Sequence, residues 1–236
     1  RRQRQMCIRD RFFMILKRIK VQMKFVGETN CYIIVDETQK KAMVIDPAGE
    51  VPKIIEILDT LGAELVYIYL THCHADHING VNELKKEKGG KVLIHRKGRE
   101  NLENRVPVLA EYIGLPPIYV KEDSIVDDDD ILHVGDLEFR VIYTPGHTND
   151  GTSLYCEKEE MLFSGDTLFK GAWGRVDLPT SDFDSIMNSI INKLLILPEN
   201  TIVYPGHGKP TRIGDEKPIY LEAKPNIDLS LIHISE

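Results

Sequence analysis

Residues 71–80, THCHADHING, put three histidines and an aspartate within six positions. Neutral imidazole and carboxylate are the usual ligands of Zn²⁺ and related ions. His72 and His74 are two apart, so in an extended segment they point the same way and can bind one ion, while Cys73 points elsewhere. Asp76 and His77 come after the chain bends into a helix, where they can face a second ion beside the first. H-x-H-x-D-H is a strong signal among short motifs. It also constrains the fold, because the remaining ligands must come from distant parts of the chain. His147 in TPGH and His207 in YPGH are the natural suppliers. Proline-glycine before each turns the chain sharply after a strand and leaves the histidine on a sheet rim. Asp166 in FSGDT stands in the same kind of place.

The rest of the chain reads as strands and helices in alternation. KRIKVQMKFV, CYIIVDE and KAMVID predict opening strands, with a hairpin turn at 37–40. VPKIIEILDTLG has apolar residues at helical spacing and a glycine stop. ELVYIYLT predicts a buried strand that runs into the histidine cluster. HINGVNELKKEKGG predicts one helix, and KVLIH another strand. Residues 96–120 read as irregular or weakly helical. ILHV and the segment up to Pro145 predict strands around a turn at Gly135-Asp136. TSLYCEKEEMLFSGD predicts a hairpin, FDSIMNSIINKLLILPEN an amphipathic helix, and TIVYPGHG a last short strand. Hairpins mixed with helices place the chain in the α/β or α+β range, as sheets covered by helices.

Composition narrows the function classes. The chain has 236 residues, 42% of them hydrophobic, enough for a substantial core. A net charge of −7 argues against nucleic acid as a partner. No apolar run reaches the roughly 20 residues of a membrane helix. Four scattered cysteines make no disulfide framework and fit a cytoplasmic location. The ends look foreign: MCIRDR and LSLIHIS can be encoded by reverse-complementary DNA of the transposon-adapter kind. Residues 1–11 and 229–236, with Cys7 and His233, are therefore expected to be non-native, and 12–228 a single domain. The sequence carries no signal for oligomeric state.

Several polar residues are expected to be ordinary. His95 and His133 lack the strand-exit context of the other histidines. Asp127–Asp130 lack the spacing of a calcium loop and read as a solvated turn. Cys73 reads as a small packing residue.

THCHADH, TPGH, SGDT and YPGHG, in that order, resemble the metallo-β-lactamase fold hydrolases over nearly the whole chain between its ends. Within them, LFKGAWGRVDLP and YPGHGKPTRIGDEK look most like the short glyoxalase II-like proteins, the hydroxyacylglutathione hydrolase group. The resemblance implies an αββα sandwich with its site on one sheet edge. It implies that His72, His74 and His147 bind one metal, that Asp76, His77 and His207 bind a second, and that Asp166 bridges them. It implies two divalent ions, zinc first, with iron or manganese as alternatives. It implies a small-molecule thioester substrate, S-(2-hydroxyacyl)glutathione or a related acyl thiol, attacked by a metal-bridging hydroxide that Asp76 orients. Arg175 in WGRVD is a candidate contact for an anionic substrate, against a structural ion pair with Asp177 or Asp46. One departure stands out: Asp150 occupies the position three beyond His147 where the family usually has glycine. The competing readings are a lactonase or other metallo-hydrolase on the same scaffold, a mononuclear iron persulfide dioxygenase, and a non-catalytic metal-binding protein.

Overall fold

The segments CYIIVDE and KAMVID are apolar on both faces because both faces are covered. In the computed structural model, which describes residues 14–222, β1 (Met14–Met23), β2 (Gly27–Asp36) and β3 (Lys41–Ile45) form an antiparallel meander with the expected turn at 37–40. The two ends read as foreign, with Cys7 and His233, lie outside the described residues. In β2, Cys31, Ile33 and Val35 face one core, and Tyr32 and Ile34 face another. Alternate strand residues point to opposite faces, so a strand buried on both reads as a continuous apolar run.

α1 (Val51–Leu61) follows as predicted, with Gly62 closing it in the left-handed conformation. β4 (Glu64–Tyr69) then pairs parallel to β3. The single helix expected after the histidine cluster is two, α2 (Ala75–Ile78) and α3 (Val81–Lys88). The break lies at Gly80, whose N–H donates to the Pro47 carbonyl at 2.7 Å. A Cβ at Gly80 would stand 2.6 Å from that oxygen, so the close approach excludes a side chain. β5 (Lys91–His95) leads into α4 (Arg96–Asn104), a regular helix where only weak helicity was expected. Its sequence, RKGRENLEN, has almost no apolar periodicity, and it buries only Gly98, Asn101 and Leu102. β6 (Ser124–Val126) completes a six-stranded sheet in the order β1-β2-β3-β4-β5-β6.

The second sheet contains β7 (Ile131–Val134), β8 (Leu137–Tyr143), β9 (Thr152–Cys156) and β10 (Met161–Gly165). β11 (Leu168–Phe169) and β12 (Ala172–Trp173) form a small separate hairpin. α5 (Phe183–Ser189) continues into one π-helical turn, Ile190–Leu194, within the span predicted as one amphipathic helix. β13 (Ile202–Pro205), β14 (Thr211–Arg212) and α6 (Ile213–Glu222) finish the described chain, and the second sheet has the order β14-β13-β10-β9-β8-β7.

Three cores result. One lies between the first sheet and α1 and α3, one between the two sheets, and one between the second sheet and α5 and α6. This is the αββα sandwich that the resemblance implied. The acidic run is a paired turn: Asp127 binds Arg96, Asp128 binds Lys193 and Asp129 binds Arg140. Among the described residues, no helix is long and apolar enough to cross a membrane.

The sheets are tied to each other at the edge where the motifs lie. Thr152 N–H donates to the Thr71 carbonyl at 2.9 Å. Asn30 on β2 reaches across to the turn after β13, donating to the Pro205 carbonyl at 2.9 Å and the Gly208 carbonyl at 3.1 Å.

Candidate functional site

Strands β4, β8, β10 and β13 each end just before one of the singled-out residues. β4 is followed by His72 and His74, and α2 then carries Asp76 and His77 on a single turn. β8 is followed by His147, β10 by Asp166 and β13 by His207. All of these are buried except His207, which is partly exposed.

Their donor atoms converge in two groups. His74 Nδ1 lies 3.1 Å from His72 Nε2 and 3.0 Å from His147 Nε2. In the second group, His77 Nε2 and His207 Nε2 are 3.3 Å apart, with Asp76 Oδ2 3.5 Å from the first and 3.3 Å from the second. Asp166 touches both: its Oδ2 is 3.4 Å from His147 Nε2 and 3.2 Å from His207 Nε2.

The outward-facing nitrogens show which lone pairs point inward. His147 Nδ1 donates to the Arg175 carbonyl at 2.8 Å, and His207 Nδ1 donates to the Glu28 carbonyl at 2.9 Å. His77 Nδ1 donates to Asp46 Oδ2 at 2.9 Å. Thr71 Oγ1 gives its proton to Asp46 Oδ2 at 2.7 Å, so it accepts from His72 Nδ1 at 3.0 Å. Each of these four rings, when neutral, turns its Nε2 lone pair into the site. His74 is reversed, with Nδ1 inward and a buried Nε2 that has no partner. Asp166 Oδ1 is likewise buried without a hydrogen-bond partner. Nitrogens about 2.0–2.1 Å from one tetrahedral ion lie about 3.3 Å apart, close to the spacings here. The residues fit metal ions.

The two groups differ electrostatically. Burial holds His72 and His147 below the usual imidazole range and brings His74 down to about 3. These three are neutral at pH 7 and ready to bind a cation. Burial also acts on His207, but Asp166 outweighs it and pushes the ring up to about 10. His77 rises for the same reason, through Asp76 and Asp166. Burial opposes ionisation of Asp76 and Asp166, yet the neighbouring histidines hold both carboxyls below their ordinary range. In the second group the protons on His77 and His207 thus balance the two carboxylates, and a bound cation would take the place of those protons.

Two features escaped the sequence reading. Asp46, at the end of β3, is buried with φ 50°, a left-handed conformation uncommon for a residue with a side chain. Its oxygens lie close enough to His72 and His77 to count as a third possible ion group. They face the outward nitrogen of His77 and the Thr71 hydroxyl, however, so Asp46 orients rather than binds. The only sequence signal was an Asp-Pro closing an apolar strand. The second feature is Thr29, whose hydroxyl donates to Asp76 Oδ2 at 3.1 Å; nothing local in β2 marks it.

The remaining candidates fall as follows. Arg175 is exposed and makes a two-point ion pair with Asp177, both contacts at 2.8 Å. Cys73 is buried against Asp150, and burial raises its thiol well above the ordinary range, which makes it unreactive. His95 stacks on Tyr143 at 4.2 Å between ring centres.

Comparison with known proteins agrees with this geometry. Residues 25–207 match the family model of the metallo-beta-lactamase superfamily. The chain is 33% identical to hydroxyacylglutathione hydrolase GloC of Haemophilus influenzae over 192 residues, covering 80% of this chain and 90% of that protein. It is similar to the crystal structure of BLEG-1 B3 metallo-beta-lactamase, with TM-score 0.77, 34% identity and coverage of 86% and 96% of the two chains. It is also similar to TTHA1623 in a di-iron-bound form, with TM-score 0.72, 31% identity and coverage of 84% and 96%. The matched span holds every residue of both donor groups, and the chain belongs to the metallo-beta-lactamase superfamily.

Proposed function

We propose that the chain is a dinuclear metal-dependent hydrolase that cleaves an acyl thioester of the S-(2-hydroxyacyl)glutathione type. The observation that carries this reading is the contact of one carboxylate, Asp166, with nitrogens of both donor groups. The similarity to a protein named a hydroxyacylglutathione hydrolase supports the substrate class. His72, His74 and His147 would hold one divalent ion, and Asp76, His77 and His207 the other, with Asp166 shared. Zinc is the first choice; iron or manganese suits the same donors, and one similar structure is described as di-iron-bound.

Divalent ions bound there lower the pKa of water towards about 7 and polarise an acyl carbonyl. The chain's own residues orient and exclude. Asp76 orients the attacking hydroxide, steadied by the Thr29 hydroxyl. The new C–O bond forms as the C–S bond breaks, and the departing thiolate takes the proton that the water lost. Arg175, exposed beside His147, would receive an anionic group of the substrate in exchange for Asp177.

The test is metal analysis of purified protein with a panel of thioesters, lactones and β-lactams. Two ions per chain and preferred thioester turnover are expected. A preference for lactone or β-lactam, or one iron with oxygen uptake on a persulfide, overturns the reading. His74→Ala and Asp166→Ala should each lose at least one ion and most hydrolysis; two ions and full activity in either variant would sink the ligand assignment.

A further inference from the structure

Beneath the donor groups lies a buried polar cluster to which the proposed reaction gives no role. Asp150 follows His147 by three residues, on the turn into β9, and is fully buried. Its Oδ1 accepts from Asn101 Nδ2 at 3.0 Å and from the Cys73 thiol at 3.8 Å. Cys73 stands between His72 and His74 in the segment leaving β4. Asn101 is buried on α4, and its amide also donates to Asn149 Oδ1 at 2.6 Å. One carboxylate oxygen therefore joins three pieces of chain: the His72–His74 segment of the first sheet, the His147 turn of the second sheet, and the helix packed beside them.

A buried carboxylate with no cationic partner is costly, and an apolar residue would avoid that cost. Burial pushes the Asp150 carboxyl up to about 6, in keeping with an unfavourable site. The expense is intelligible if the carboxylate sets a distance. The ligands to one ion must be held to within about 0.5 Å, and here they come from two different sheets. Asp150 sits at the seam between those sheets, bonded to the residue between two of the three nitrogens and close in sequence to the third.

We propose that Asp150 is a positioning residue for the His72–His74–His147 trio, setting through Cys73 and Asn101 the gap across which one ion is held. This rests on reading the trio as metal ligands. Asp150 does not reach the reacting atoms; it acts on the affinity and geometry of the ion.

The probe is cobalt(II), titrated into metal-free protein against a chromophoric chelator while the visible spectrum is recorded. Wild type is compared with Asp150→Ala, Asn101→Ala and Asp150→Asn. Asp150→Ala should weaken the first equivalent of cobalt about 10–100-fold and change its spectrum, whereas Asp150→Asn, which keeps an acceptor for Cys73 and Asn101, should stay within about threefold of wild type. Asn101→Ala should shift affinity and spectrum in the same direction as Asp150→Ala, and it decides the matter if Asp150→Ala fails to fold. Wild-type affinity and spectrum in Asp150→Ala or Asn101→Ala, even with a lowered melting temperature, would overturn the proposal. So would an Asp150→Asn variant as weak as the alanine. A wild type that binds no cobalt overturns the ligand reading and this inference together; a wild type that binds two ions beside unaltered variants overturns this inference alone.

Discussion

Asp46 binds no ion in this reading, yet it governs how one ligand presents itself. Its carboxylate receives the His77 Nδ1 proton and both the N–H and the hydroxyl of Thr71. Removing such a partner typically costs about 10–100-fold in metal affinity. Asp46→Ala should therefore weaken the second ion by that order and the first less, as read by stepwise chelator competition; equal loss at both ions would contradict the assignment. Asp150 makes a prediction of different sign. Its folded pKa, about 6, lies above the ordinary 3.8, so the folded state binds the proton more tightly than the unfolded one. That contribution favours folding at low pH and is lost as pH rises from about 4 to about 6. In metal-free protein, the stability of Asp150→Asn relative to wild type should therefore rise by about 2 kcal/mol between pH 4 and pH 7, measured by urea unfolding. A difference that does not move with pH would show that Asp150 is not the titrating group. At this scale the singled-out histidines were legible because their types and spacings are chemical signatures. Asp46, Thr29 and Asn101 were not, since an aspartate, a threonine or an asparagine has many ordinary uses and becomes distinctive only through its neighbour.

The elements carry their own constraints. The Pro-Gly-His turn after β13 needs its glycine for room: a Cβ on Gly206 would stand 2.1 Å from Asp166 Oδ1 and 2.8 Å from His77 Cε1. Gly206→Ala should displace Asp166 or His77, and the expected result is loss of at least one ion with the far-UV circular dichroism unchanged. Two ions bound at wild-type affinity would mean that the turn yields without disturbing the site. On α1, Leu58 is fully buried in the helix–sheet core. Leu58→Ala should cost about 2–5 kcal/mol in denaturant unfolding and leave metal stoichiometry intact. Elements with a clear pattern, the helical spacing of α1 and the apolar run of β2, were readable. α4 and the break in the helix after the cluster were not. α4 packs through a glycine, an asparagine and a single leucine, and the break is imposed by the Pro47 carbonyl, which lies far from Gly80 in sequence.

At the scale of the molecule, ions held in this site would bridge the sandwich, because the first sheet supplies His72, His74, Asp76 and His77 while the second supplies His147, Asp166 and His207. A ligand that binds only the folded state stabilises it by mass action, about 4 kcal/mol at a free concentration 1,000 times its Kd. Removing metal with a chelator should therefore lower the melting temperature, and restoring it should recover the loss; an unchanged melting temperature would mean that the ions contribute nothing to holding the sheets together. The amino-acid sequence by itself singled out the candidate donor residues, their placement at strand exits and the alternation of strand and helix, because these depend on residue type and on periods of two and 3.6. Only the tertiary structure decided which nitrogens face inward, that Asp46 meets the outward nitrogen of His77, and that Asp150 joins the two halves of a site. Those properties belong to contacts between segments dozens of residues apart, and no local pattern encodes such a contact.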